Sequence, residues 1–281
     1  MTSEKTHVFK TEEIVVKSII TKSNLPAASY VVNPYIGCQH GCIYCYSEFM
    51  KRFTNHHEPW GTFVDVKINA VNIIKPMKYK DKRLLFSSVT DAYQPIESKY
   101  ELTRKLLMAL IPAQPKIEIL TKSSLVLRDL DILKQFEDVT IGVSISTLDR
   151  KISRKLEPLA SSPGARLQAL KRCKEEGIRT YTFLSPLIPF ITDVAEIIKE
   201  TIPYSDFLMF ENLNIRPTNL NKVQNVLEKI SPDLPLKLKK IYAPDSKYWD
   251  DEEERWRTFC EKEGIEALFF FHHVRSKKCL I

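Results

Sequence analysis

The sequence predicts an α/β protein whose parallel strands alternate with helices in a partial (β/α)6 TIM-like barrel. From residue 83 onward, short apolar runs typical of buried strands alternate with segments whose apolar residues recur every three or four positions. Such alternation favours a parallel sheet with helical crossovers. About six units are too few for a closed eight-fold barrel, and a doubly wound sheet is the alternative. With only 7 glycines and no glycine-rich fingerprint after a strand, a phosphate-cradling nucleotide fold is disfavoured.

The predicted elements follow in chain order from a first strand that lies just before Cys38. Further strands are predicted at 83–89, 116–120, 139–146, 179–184 and 207–210, with helices around 102–110, 126–133, 162–177 and 193–200. The third of these helices has the clearest ends. Ser162 is a suitable N-cap, Pro163 fits the first helical turn, and Gly177 is a suitable C-terminal cap.

Three regions are predicted along the chain. Residues 1–28 form a leader that contains one β-like run, Ile14 to Ile20. Residues 29–230 form the barrel. Residues 231–281 differ in composition, with several prolines, an acidic run at 250–254 and an apolar segment at 268–271. We interpret them as an extension packed on the barrel.

Composition indicates a folded protein, since 43% of the 281 residues are hydrophobic and 27% are charged. No stretch approaches the ~18 consecutive apolar residues of a membrane span. The first residues lack an apolar signal core, so we expect a cytoplasmic protein. We also expect a monomer. The net charge of +7 is compatible with a nucleic-acid partner, although ordinary solvated surface charge is the preferred explanation.

The most informative feature is a cluster of three cysteines. Cys38, Cys42 and Cys45 lie within eight residues, in a loop that also holds Gly37 and Gly41, whereas the other three cysteines are scattered. Glycines allow the tight turns that bring three thiolates to one centre. A structural zinc needs four ligands, and a neighbouring histidine, His40, is a candidate for the fourth. Three thiolates also suit a [4Fe-4S] cluster that keeps one iron open, since an ordinary electron-transfer cluster takes four cysteines.

The Cys-x3-Cys-x2-Cys pattern with Tyr44 before the last cysteine resembles the signature of the radical S-adenosylmethionine (SAM) superfamily. Residues 30–215 are similar to its spore photoproduct lyase-like (DNA repair photolyase-like) branch. The resemblance implies that the three cysteines hold three irons of a [4Fe-4S] cluster, while the fourth iron chelates SAM. An electron from a reductant such as ferredoxin or flavodoxin would then cleave SAM to a 5′-deoxyadenosyl radical that abstracts hydrogen from a substrate.

Polar residues at the predicted strand ends are the candidates for binding the second cofactor. Reactive groups of β/α barrels gather at these ends. A lysine suits a carboxylate, a carboxylate suits an ammonium, and hydroxyls suit ribose oxygens. Lys122 and Ser144 match SAM-contacting positions of the family branch, and Asp91 falls near a third. The full predicted set comprises Ser88, Asp91, Lys122, Ser144, Ser146 and the backbone around Tyr44.

The resemblance also suggests catalytic side chains. Tyr44 and Tyr46 match tyrosines implicated in hydrogen transfer in that branch, whereas the hydrogen-donating cysteine of spore photoproduct lyases is replaced by Val89. Repair of thymine lesions by that route is therefore not expected. Other candidates near the site are a pair at the entry of a helix, a terminal thiol and two neighbouring histidines: Glu157, Arg166, Cys279, His272 and His273.

The leading hypothesis is an oxygen-sensitive radical SAM enzyme acting on an unidentified substrate, for which nucleic acid is one candidate. The alternative is a non-catalytic module that binds nucleic acid through zinc or an iron–sulfur cluster. A simple ferredoxin-like carrier is a third interpretation, disfavoured because no fourth cysteine lies near the trio.

Overall fold

The computed structural model describes residues 9–25 and 28–271. Eleven strands are present in these ranges: β1 Lys10–Ile14, β2 Ile20–Lys22, β3 Tyr30–Val32, β4 Tyr35–Gly37, β5 Phe63–Lys67, β6 Arg83–Phe86, β7 Lys116–Thr121, β8 Val139–Ser144, β9 Arg179–Leu187, β10 Phe207–Asn212 and β11 Ala267–Phe270. The α-helices are α1 Ala70–Ile73, α2 Glu97–Tyr100, α3 Leu102–Leu110, α4 Leu130–Leu133, α5 Arg150–Leu156, α6 Pro163–Glu175, α7 Val194–Thr201, α8 Pro217–Glu228, α9 Leu234–Ile241 and α10 Tyr248–Lys262. Short 3₁₀ helices occupy Tyr46–Phe53, Pro76–Tyr79, Ile111–Ala113, Ser124–Asp129 and Ile202–Tyr204.

The main sheet has eight strands in the order β11-β10-β9-β8-β7-β6-β3-β2. All neighbours from β3 to β11 pair in parallel, and β2 pairs antiparallel with β3 at one edge. The sheet is open, because β2 and β11 lie at its two ends. This arrangement confirms the predicted α/β partial barrel, whose six strands are β3 and β6 to β10. The last strand, β11, adds a seventh parallel strand from the region after residue 230.

A second, three-stranded sheet supports the cysteine loop. Its order is β1-β5-β4, and β4 ends at Gly37, directly before Cys38. β4 pairs antiparallel with β5, so that Gly37 lies opposite Val64. The cysteine loop is therefore anchored on its N-terminal side by a strand pair that lies outside the main sheet.

The predicted strand over Ile14 to Ile20 is wrong. Ile14 ends β1 and Ile20 begins β2, whereas the residues between them form no strand. Val16 is hydrogen-bonded in both directions to the Asn69 side chain, through its N–H at 2.9 Å and its carbonyl at 2.8 Å. Because these backbone groups are used by a side chain, the chain changes sheets here instead of continuing one strand.

The helices follow the sequence signals closely where the caps are strong. The Ser162 hydroxyl accepts a hydrogen bond from the N–H of Ala165 at 3.3 Å, and Gly177 has a φ of +77° just after α6. Strands β6 and β8 are shorter than predicted, since β6 stops at Phe86 and β8 at Ser144. The polar residues that follow them therefore lie in loops at the carboxyl edge of the sheet.

Residues beyond 230 pack on the core of the barrel. Trp249 and Trp256 of α10 and Leu238 of α9 are buried in the same apolar cluster as Leu208 and Phe210 of β10. The proposed boundaries at residues 28 and 230 remain a prediction. In the described ranges, no helix combines the length and the apolar character that crossing a membrane requires.

Candidate active site

A cavity of about 540 Å³ opens at the carboxyl edge of the main sheet. It is lined by all three clustered cysteines and by most of the predicted cofactor residues: Cys38, Cys42, Cys45, Tyr44, Tyr46, Ser88, Asp91, Lys122 and Ser144. Ser146 is fully buried and does not line the cavity. The parallel strands thus bring together residues that are more than 100 positions apart in the sequence, as expected for strand ends in a β/α barrel.

A hydrogen-bonded carbonyl fixes the start of the cysteine loop. The Gly37 carbonyl accepts bonds from Thr90 Oγ1 at 2.6 Å and from Gln94 Nε2 at 3.3 Å. The fully buried Gln94 also accepts a bond from the N–H of Gln39 at 2.8 Å. Gln94 thus fixes the backbone on both sides of Cys38, a role that the sequence pattern did not indicate.

The spacing of the three thiols distinguishes the two metal hypotheses. Around a tetrahedral zinc with bonds of 2.3 Å, ligand sulfurs are about 3.8 Å apart. No three of Cys38, His40, Cys42 and Cys45, all of them described, have ligand atoms mutually within 4.8 Å. A larger centre, in which each thiolate binds a different iron, fits this wider arrangement. The arrangement therefore favours a [4Fe-4S] cluster over a single zinc ion.

Burial favours the protonated thiols of Cys38 and Cys42. Desolvation, with smaller contributions from Asp91 and the neighbouring cysteines, holds the pKa of Cys38 well above its usual value. The pKa of Cys42 is raised to about 12, mainly by burial and then by Glu157. Metal binding at this loop must therefore displace protons, as is general for thiolate ligands.

A buried ion pair lies beneath the loop. Glu157 pairs with the Arg166 guanidinium and also accepts a hydrogen bond from the Tyr44 hydroxyl. Arg166 donates further bonds to the carbonyls of Ser144 at 2.9 Å and Ser161 at 2.8 Å. Burial disfavours the carboxylate of Glu157, but Arg166 and Lys122 overcome this effect and hold its pKa at about 2. The predicted pair is thus charged, and its position behind Tyr44 fixes that ring.

Lys122 presents a cation to the cavity. Its Nζ lies 5.8 Å from the centroid of the Tyr44 ring, and no hydrogen-bond or ion-pair partner for it exists within the described chain. The backbone N–H of Lys122 donates to Asp91 Oδ2 at 2.8 Å. Such an ammonium, half-buried and without a carboxylate, is suited to binding an anionic group of a ligand.

Asp91 joins two strand ends. Its Oδ1 accepts bonds from Thr121 Oγ1 at 2.7 Å and from the N–H of Tyr93 at 2.9 Å, and its Oδ2 lies 3.4 Å from His40 Nδ1. With Lys122 as a further donor, much of the carboxylate's capacity is satisfied within the protein. Asp91 is therefore well placed to position Lys122, while its direct contact with a cofactor remains a prediction.

The rim next to β6 is organised by an asparagine that the sequence did not indicate. Asn33 Oδ1 accepts the backbone N–H groups of Ser88 at 3.0 Å and Val89 at 3.4 Å, and Asn33 Nδ2 donates to Ser88 Oγ at 3.3 Å. The Tyr46 hydroxyl donates to the Ser88 carbonyl at 2.5 Å. Tyr46 is 43% exposed and lies at the mouth, whereas Tyr44 is buried.

The remaining predicted serines are committed to structural bonds. Ser144 Oγ donates to the Ser185 carbonyl at 2.8 Å, and Ser146 Oγ donates to Glu157 Oε1 at 3.2 Å. Two other polar residues that line the cavity are buried and have no hydrogen-bond partner, namely Ser87 through its hydroxyl and Asn212 through both amide atoms. Unpaired buried polar groups of this kind are costly unless a ligand or water satisfies them.

The wall formed by β7, β9 and β10 has a different chemistry. Glu118 accepts a bond from the Tyr181 hydroxyl at 3.2 Å, and burial raises its pKa above the usual value. Glu211 accepts a bond from Ser185 Oγ at 2.5 Å. Among the described residues that line the cavity, Lys122 is the only lysine or arginine. Arg83, which does not line the cavity, lies 3.7 Å from Glu118. The wall therefore presents carboxyl groups and no cation to the cavity, which disfavours a phosphate.

A second group of ligand-type atoms lies outside the cavity. Glu12, His56 and Asp65 have ligand atoms within 4.8 Å of one another. Both ring nitrogens of His56 face carboxylates, at 2.7 Å from Asp65 and 3.0 Å from Glu58, and Lys10 bridges Glu12 and Glu58. These contacts describe an ion-pair network that satisfies itself. The candidates His272, His273 and Cys279 lie outside the described residues.

Comparisons with known proteins agree with this site. A family model described as the radical SAM superfamily matches residues 32–201. An uncharacterized protein of Methanocaldococcus jannaschii is 41% identical over 79% of this chain and 83% of its own length. An uncharacterized protein of Acidianus two-tailed virus is 34% identical over 74% of this chain and 75% of its own length. The chain belongs to the radical SAM superfamily.

Among solved structures, a spore photoproduct lyase mutant with bound AdoMet and dinucleoside spore photoproduct superposes with a TM-score of 0.68. The sequence identity is 18%, and the match covers 93% of this chain and 82% of that protein. This likeness confirms the partial barrel fold and agrees with the family branch that the sequence resembles.

Proposed function

We propose that this protein is a radical SAM enzyme that cleaves S-adenosylmethionine reductively and abstracts a hydrogen atom from a base of a nucleic acid. One observation carries the proposal: three thiols too widely spaced for zinc share a cavity with the unpaired ammonium of Lys122. When bound, a [4Fe-4S] cluster and SAM supply an electron and a 5′-deoxyadenosyl radical. The electron is taken from a reductant such as ferredoxin or flavodoxin.

The protein's own residues would bind and orient the two cofactors. Cys38, Cys42 and Cys45 would hold three irons, and Lys122 would bind the carboxylate of SAM through a charge-assisted hydrogen bond. Asp91 holds the Lys122 backbone at the strand end. Tyr44 and its ion pair close the floor of the cavity.

The chemistry of the cavity supports a base rather than a phosphate as the group that enters. Glu118 and Glu211 supply carboxyl groups and no cation to this wall, which disfavours a phosphate, whereas the amide of Asn212 offers both a donor and an acceptor to a base edge. Phe183 of β9 and Phe270 of β11 also line the cavity and provide apolar surface for a ring. The structural relative, a spore photoproduct lyase mutant, holds a dinucleoside spore photoproduct, which supports the same substrate class.

A surface at the mouth supports binding of the nucleic-acid backbone. The 3₁₀ helix that follows Cys45 exposes Phe49 and Phe53, and the Arg52 guanidinium lies 5.5 Å and 4.6 Å from their ring centroids. Aromatic rings interleaved with cations are suited to single-stranded nucleic acid. The same helix begins at Tyr46, which lines the cavity.

The test of the activity is anaerobic reconstitution with iron and sulfide, reduction with dithionite and addition of SAM. Wild type should contain about four irons and release 5′-deoxyadenosine. Cys42→Ala should lose both, whereas Cys173→Ala, which removes a buried thiol outside the cavity, should keep both. One zinc per chain, or an iron-loaded protein that yields no 5′-deoxyadenosine, would contradict the proposal.

The substrate class is tested separately with a single-stranded oligodeoxynucleotide as the probe. Arg52→Glu should weaken binding about five- to tenfold at low salt, with a reduced salt dependence. Arg172→Glu is the matched control, because Arg172 lies in the last turn of α6, at the opposite end of the barrel from the mouth. Equal affinities of wild type and Arg52→Glu would remove this surface from the proposal.

A further inference from the structure

The cysteine loop has a tryptophan on its outer side. The indole Nε1 of Trp60 lies 3.3 Å from Sγ of Cys45, and the side chain is 8% exposed. An indole N–H is a donor only, so the sulfur accepts this bond. Trp60 is thus the side-chain donor to one of the three predicted iron ligands.

The backbone around Trp60 is fixed against the cysteine loop. Gly61 has a φ of +92°, and a Cβ placed on it would lie 2.9 Å from Cα of Gly41. The Trp60 ring also packs edge-on against the fully buried Phe63, with ring centroids 5.7 Å apart. The backbone beside Trp60 packs against the cysteine loop, and the Trp60 ring packs against Phe63. These contacts fix the direction of the indole N–H towards the Cys45 sulfur.

A hydrogen bond to a ligand sulfur changes the reduction potential of an iron–sulfur cluster. Reduction adds one electron and therefore negative charge, which is shared by the thiolates. A donor at 3.3 Å from Cys45 stabilises the reduced state more than the oxidised state, because its bond strengthens as the sulfur becomes more negative. The buried ring also limits water at this sulfur.

We propose that Trp60 is a positioning residue that raises the reduction potential of the cluster through its hydrogen bond to Cys45. The inference rests on the proposed function, since it requires a cluster at the three cysteines. The step concerned is the uptake of one electron from an external reductant, ferredoxin-like in the cell and dithionite in the experiment. No proton is transferred, and the indole keeps its N–H throughout.

The test is a redox titration of the reconstituted protein, followed by the electron paramagnetic resonance signal of the reduced cluster. Trp60→Phe removes the donor and keeps an aromatic ring. We expect its equilibrium constant for one-electron reduction to fall about tenfold, which corresponds to 59 mV towards more negative potential. Trp256→Phe makes the same exchange in α10, away from the cavity, and should change the constant less than twofold.

The outcomes separate the two proposals. A wild-type protein without cluster or 5′-deoxyadenosine would contradict the proposed function. An iron-loaded Trp60→Phe variant with the wild-type potential would overturn the role of Trp60 alone.

If Trp60→Phe does not hold iron, the hydrogen bond is tested instead in wild type whose tryptophan indoles are labelled with ¹⁵N. Of the three tryptophans, Trp249 and Trp256 lie in α10 and do not line the cavity, so a ¹⁵N coupling to the reduced cluster supports the bond and its absence overturns it.

Discussion

The two sides of the cysteine loop are stabilised by different interactions. The side that faces the barrel rests on buried charges, the Glu157–Arg166 pair and the nearby ammonium of Lys122. The outer side is formed by Trp60, Phe63 and close backbone contacts at glycines. We expect the first side to bind a charged ligand, whereas the second side fixes the shape of the loop. Under the proposed function, binding and positioning are assigned to separate surfaces of one loop.

Breaking the charged side should have the largest effect on stability. Glu157→Gln leaves the Arg166 guanidinium buried without its counter-ion, because the relative exposure of Arg166 is 1%. Removing one partner of a buried ion pair costs about 3–5 kcal/mol of unfolding free energy. Urea unfolding of the metal-free protein measures the change. Asp138→Asn, which breaks an exposed pair with Lys116, should leave the urea midpoint unaltered. Similar losses of unfolding free energy in both variants would contradict the stabilising role of the buried pair.

The charged side also predicts a pH dependence. The pKa of Glu157 is about 2 in the folded protein and about 4.3 in an unfolded chain. Its contribution to stability is therefore complete above about pH 4.5 and is lost as the pH falls through 2. The difference in unfolding free energy between wild type and Glu157→Gln should shrink over this range in urea titrations at successive pH values. A difference that stays constant from pH 5 to pH 2 would contradict it.

The outer side is tested by a pair of glycine substitutions. Gly37 has a φ of +84°, and a Cβ there would lie 2.4 Å from the carbonyl oxygen of Phe63. Gly37→Ala should lower the unfolding free energy by roughly 1–3 kcal/mol from backbone strain, with the close contact adding to it. Gly164→Ala meets no atom within 4 Å and lies in a helix, so it should be neutral or slightly stabilising. Equal effects at both positions would refute the close contact at Gly37.

The residues of the charged side could be predicted from the sequence alone, because the signals that mark them are local. The cysteine spacing and the lysine after an apolar run mark the site without tertiary information, and the ends of α6 follow from Ser162 and Gly177. Strand ends meet at one edge of a parallel sheet, so Lys122 falls near the cysteines once the fold class is known.

The outer side could not be predicted, because it depends on contacts between distant segments. Trp60 becomes a partner of Cys45 only after β5 pairs with β4. Gln94 and Asn33 act through side-chain bonds to backbone groups that carry no sequence signature. The apolar run after Ile14 failed as a strand for the same reason, since Asn69 takes the hydrogen bonds that a strand neighbour needs.

The smallest expected effect concerns ligand affinity rather than stability. Lys122→Met keeps much of the side-chain volume and removes the ammonium, so the affinity of the iron-loaded protein for SAM should fall about 10- to 100-fold, the value of a charge-assisted hydrogen bond. Lys171→Met is a close control, because Lys171 also lies over a tyrosine ring, 5.5 Å from the centroid of Tyr204, but away from the cavity. Isothermal titration calorimetry without oxygen measures both. If the two variants bind SAM equally well, the charged side of the loop does not bind the cofactor's carboxylate, and the division of labour between the two sides is wrong.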